Sequence, residues 1–182
     1  MPDELVIRHC APTLASIKTG NLFSWAYESE EELCASLRSL NERLTGKGLR
    51  VVPLRRREGR ALIYVYRPGR LAQDLSGAEA ERLLRECGYD GGSANRRVVQ
   101  LIGRLRVAAE FPHEIGLFLG YPPEDVDDFM HRRDEAKLTG CWKVYGDVEA
   151  AQRTFEEYRR CTEFCLKQMS RGTALEGLAA AV

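Results

Sequence analysis

The run Ala61-Leu-Ile-Tyr-Val-Tyr-Arg67 constrains this chain most. Leu62, Tyr64 and Tyr66 alternate with Ala61, Ile63 and Val65, so both faces of an extended segment are apolar. Such a strand has to lie inside a sheet and be covered on both sides. A neighbour precedes it: LRVVPL, residues 49–54, is equally β-prone, and the charged turn RRREGR with Gly59 joins the two, so 49–67 reads as an antiparallel hairpin. CWKVY, residues 141–145, reads as another strand. ELVIRHC, residues 4–10, reads as a short N-terminal strand, because Pro12 interrupts a helix running through it.

The cover is helical. Ser29 with Glu32 and Ser76 with Glu79 form capping boxes, and Asp90–Ser93 is a turn that caps a third helix with a stripe of Val98, Leu101, Ile102, Leu105 and Ala109. Prolines announce two short helices, 112–119 and 122–131. Asp147 caps a last helix in which Val148, Ala151, Phe155, Tyr158, Thr162, Cys165 and Met169 recur at helical spacing, a face expected to pack on the sheet. Helices bunched after the hairpin give an α+β fold, a small and largely antiparallel sheet under about six helices, rather than a doubly wound one. The 182 residues read as a single domain, 1–182, with a tail, 172–182, expected to fray.

Lys plus Arg and Asp plus Glu each total 27, so no global field draws the chain to nucleic acid or anionic lipid. No segment has the length of a membrane span, and the N-terminus lacks the pattern of a secretory signal. The six cysteines read as reduced thiols, which with the preceding points implies a cytoplasmic protein without membrane or DNA partners.

Three segments, HCAPTLASIKTGNLF (9–23), FPHEIGLFLGYPPEDV (111–126) and CWKVYGD (141–147), resemble the signature stretches of an uncharacterised bacterial family found mainly in anaerobes, a domain of unknown function. The resemblance implies one full-length domain and brings no activity. Asp128 stands where the resemblance implies Gly, making that segment unusually acidic.

The chemistry-bearing residues gather in those segments. Cys10, at the end of a strand and just before a helix that Thr13 would cap, has the setting of an activated thiol; the structural alternative is that Cys10 packs and His9 satisfies a loop carbonyl. His113 is the candidate base for it, which makes Cys10 and His113 the candidate catalytic pair and HCAPT, FPHEIG and CWKVYGD a candidate common cleft. His9, Thr13, Lys143, Tyr145 and Asp147 are candidate ligand contacts, since Lys143, Tyr145 and Asp147 alternate on one face. His9, Cys10, His113 and Cys141 are soft enough for a metal, but no Cys-x-x-Cys pair supports a metal site. Two functions follow: a small-molecule or redox-related protein built on Cys10, or a non-catalytic binding module for a protein partner, a metal or haem.

Two further patterns invite a nucleic-acid or phosphate reading. IGLFLGYPPEDVDDFM mimics a helix-turn-helix, but Glu124, Asp125, Asp127 and Asp128 would oppose DNA phosphates, so an αα-hairpin packed on the core is expected. Arg55, Arg56, Arg57 and Arg60, with Arg96, Arg97, Arg104 and Arg106, form the best candidate phosphate-binding surface; the alternative is solvated charge balanced by nearby acids.

Overall fold

A computed structural model describes residues 1–107, 110–132 and 135–180. The hairpin forms as expected from β2 (Arg50–Arg57) and β3 (Arg60–Tyr66), and β3 is the central strand of an antiparallel three-stranded sheet. Its other neighbour is β1 (Gly20–Ala26), which pattern alone did not suggest. Phe23 and Trp25 turn inward from β1, while Ser24 and Ala26 are exposed, as suits an edge strand.

The two apolar faces of β3 separate two cores. Ala61, Ile63 and Val65 pack with Phe23, Trp25 and Val51 under α1 (Asp3–Leu14), α2 (Glu30–Leu44), α8 (Val148–Ser170) and α9 (Leu175–Leu178). Tyr64 and Tyr66 face the opposite core, built by α3 (Pro68–Leu75), α4 (Ala78–Glu86), α5 (Ala94–Val107), α6 (Ile115–Phe118) and α7 (Pro123–His131). The fold is therefore α+β, with helices on both sides of a small antiparallel sheet.

Several expectations are corrected. Residues 4–10 belong to α1, not to a strand: Pro12 lies in the helix but only two residues from its end, where it removes one hydrogen bond and its own carbonyl accepts from Ile17 and Lys18 N–H. Thr13 is consequently inside the last turn of α1 and starts no helix. The strand expected at 141–145 shrinks to β5 (Lys143–Val144), paired only with β4 (Leu138–Thr139) and separate from the main sheet. Ser76 ends α3, its hydroxyl donating to Gln73 O at 2.7 Å, and Gly77 is the N-cap of α4. The apolar stripe of α8 packs on α1 rather than on the sheet. Ala109 and the last two residues of the tail, Ala181 and Val182, lie outside the described residues.

Other local readings are found as expected. Ser29 accepts from Glu32 N–H at 3.1 Å and Asp147 from Ala150 N–H at 2.9 Å. The helix-turn-helix mimic is α6 and α7 packed into the second core, with Asp127 taken up by Arg82 and His131.

Arg67 joins the two ends of the first core. It is 1% exposed and has no carboxylate partner among the described residues. Its guanidinium donates instead to four backbone carbonyls: Thr13 at 2.7 Å, Leu14 at 2.6 Å, Lys47 at 3.0 Å and Ala180 at 3.0 Å. The orphan carbonyls at the end of α1 are thereby satisfied. The tail segment docks at the same place, with Leu175 buried and Ala180 N–H donating to Leu14 O at 2.9 Å.

Candidate functional site

The site is organised by Asp125, in the first turn of α7 and 4% exposed. One carboxylate oxygen accepts from the backbone N–H of Tyr145 at 2.8 Å and of Gly146 at 2.9 Å; the other accepts from Trp142 Nε1 at 2.7 Å. A buried carboxylate with three donors holds the 142–146 segment across α7. Trp142, fixed in this way, stacks on Tyr121 at 5.1 Å between centroids and meets the edge of Phe155 at 4.6 Å.

One turn after Asp125, Phe129 points to the same side. His113 meets its ring edge-on at 5.0 Å, and Lys143 Nζ stands 5.6 Å from its centroid. Phe111, His113, Tyr121, Phe129, Trp142 and Lys143 enclose a cavity of about 340 Å³. Gly116 permits the close approach of its two helices, because a Cβ there would come within 2.7 Å of Val126 Cγ2.

The Tyr121 ring also meets Lys18, whose Nζ lies 4.9 Å from the ring centroid. Lys18 is 3% exposed, and its ammonium donates to Gly20 O and, at 2.7 Å, to Leu119 O. Burial draws its pKa down to about 8, opposed by Cys10, Cys141 and Asp74. A second, shallower groove of about 480 Å³ opens here between α1 and α8, with His9, Asn21, Cys141 and Tyr158 on its walls. Cys141 is exposed on this groove; lost hydration raises its thiol, and Lys18 pulls the other way. Tyr121 is the partition between the two cavities, and its hydroxyl donates to Cys141 O at 2.9 Å.

The structure distributes the sequence candidates over these places. Cys10 is wholly buried in the first core, and desolvation pushes its thiol far above the ordinary range, the reverse of activation. His113 lies against the second core, and the two line no common cavity. His9 is exposed on the groove and stacks on Phe23, centroids 5.4 Å apart and planes 4° apart. Thr13 is buried, donating to Asn21 Oδ1 at 2.7 Å. Lys143 lines the aromatic cavity, whereas Tyr145 is buried and Asp147 is an exposed helix cap. Among the described residues no cluster of three or more His, Cys, Asp or Glu is arranged to hold a metal.

The three signature segments meet around Lys18, Tyr121 and the Cys141–Trp142 pair, not around Cys10 and His113. Lys18, Tyr121, Asp125 and Trp142 went unread as site residues. A lysine between Ile17 and Thr19 gives no sign that it will be buried.

A family model described as Protein of unknown function (DUF3793) matches residues 6–179. The chain belongs to this family. The DUF3793 span takes in every residue of both cavities. No curated protein and no solved structure matches the chain. No helix among the described residues is long and apolar enough to cross a membrane.

Proposed function

We propose that this DUF3793 chain is a non-catalytic small-molecule-binding domain whose ligand is planar and mostly apolar, seated in the aromatic cavity beside Trp142. The observation that carries this reading is the cavity itself: about 340 Å³, walled by Phe111, Tyr121, Phe129 and Trp142, with His113 and Lys143 as its polar edges. That is the size and chemistry of a small-ligand pocket, rigid because Asp125 fixes its wall. A thiol mechanism at Cys10 loses its support from the burial of that sulfur. Six free cysteines suit a reducing compartment, and we place the protein in the cytoplasm.

Trp25→Phe leaves Trp142 as the sole indole, so its emission reports the cavity. Titration with naphthalene and quinoline is expected to quench it saturably at one site, and Phe129→Ala to weaken the binding tenfold or more. Linear, unsaturable quenching, or binding indifferent to Phe129, would exclude the pocket.

A further inference from the structure

A third concavity, of about 490 Å³, lies on the far edge of the sheet, where Arg55, Arg56 and Arg57 of β2 face Leu105 and Arg106 at the end of α5. None of its lining residues is acidic, on a chain whose net charge is zero. Its shape comes from a break in strand pairing. Pro53 opposes Ile63, but Arg55 opposes Leu62, leaving Leu54 as the extra residue of a bulge. Regular alternation would put Leu54 opposite Leu62 and Arg55 with Ala61 on the other face. The bulge lets Leu54 stay in the second core and turns Arg55, and with it Arg57, toward α5.

The remaining arginines of the sequence cluster lie outside the concavity and have partners of their own. Arg97 holds Leu75 O and Glu81, Arg104 holds Glu114, Arg96 lies 3.5 Å from Asp90, and Arg60 donates to Ser24. Arg55 and Arg106 have no ion pair to any described acid. Arg56 and Arg57 pair with Glu30 and Glu58 in solvent, where such pairs contribute little and exchange readily.

We propose that this concavity binds a small molecule through a di- or triphosphate group, with Arg55 and Arg106 as the principal contacts and Arg57 as the outer one. Guanidiniums from both β2 and α5, in a lining with no acidic residue, suit several phosphate oxygens at once, and the volume accommodates a nucleotide-sized body. The lining has no aromatic ring to stack a base, so recognition falls on the phosphates.

Isothermal titration of the full chain with tripolyphosphate, at two salt concentrations, tests this. Saturable one-site binding is expected, with a Kd raised at least tenfold by Arg106→Ala or Arg55→Ala and changed less than twofold by Arg96→Ala. Arg106 is exposed, so its replacement leaves the fold intact by circular dichroism even if Arg55→Ala does not. Absence of binding below about 1 mM at low salt overturns the proposal, as does an equal loss for Arg96→Ala, which would mark diffuse charge. Tighter binding of duplex DNA than of tripolyphosphate would also overturn it.

Discussion

The Lys18 ammonium stands 4.9 Å from the centroid of the Tyr121 ring, which also stacks with the indole of Trp142. One aromatic side chain thus separates a groove with a buried cation at its base from an apolar cavity, and both depend on it.

Tyr121→Ala is expected to destabilise the chain by about 3 kcal/mol, through the lost ring and the merging of two cavities. Tyr121→Phe keeps the ring and gives up only the bond to the Cys141 carbonyl, about 0.5–1.5 kcal/mol. Urea denaturation of the two variants measures the difference; equal losses would mean that the ring separates nothing.

Lys18 gives stability a pH dependence of definite sign. Its pKa is about 8 in the folded chain against 10.5 unfolded, so between those values the unfolded chain binds more protons and stability rises with pH. At about 1.4 kcal/mol per pH unit the gain is roughly 3 kcal/mol between pH 8 and 10.5. Lys18→Met removes this slope while the other titrating groups stay common to both proteins. Stability measured in urea across that window should therefore rise more steeply, or fall less, for the wild type than for Lys18→Met. Parallel curves would refute the assignment.

Asp125→Asn is expected to loosen the wall of the aromatic cavity. The amide oxygen can still accept from Tyr145 and Gly146 N–H, but its NH₂ then faces the Trp142 N–H, donor against donor. A cost of about 1–3 kcal/mol and a red-shifted Trp142 emission, read in the Trp25→Phe background, should follow.

Alkylation by iodoacetamide of the native chain should modify Cys34 and Cys141, both exposed, and spare Cys10 and Cys165 until the protein unfolds. Peptide mapping gives the order. Early labelling of Cys10 would restore the thiol reading at that residue.

The fold class was legible because β3 carries its requirement in its own alternation: two apolar faces demand two cores, and two are found. Caps at Ser29 and Asp147 were legible for the same local reason. What escaped depends on distant partners. β1 has no identity without β3 to pair with, and α1 survives Pro12 only because the helix ends soon after it and Arg67 closes its carbonyls. Both cavities draw lining residues from the segments singled out in the sequence, but Lys18, Tyr121 and Trp142 were not read among them. Cys10 and His113 attract attention by their chemistry, whereas Lys18 and Tyr121 matter through burial, which no spacing announces.

The shell of Arg67 has a consequence for how the chain comes into being. The guanidinium and the carbonyls of residues 13, 14 and 47 are made early, but the carbonyl of Ala180 comes more than a hundred residues after Arg67, and α8, on which α1 packs, more than a hundred residues after α1. The first core cannot be sealed by a nascent chain that stops short of α8. α1 waits, apolar face uncovered, for α8, so this part of the nascent polypeptide is open to proteases and to chaperones until α8 is made.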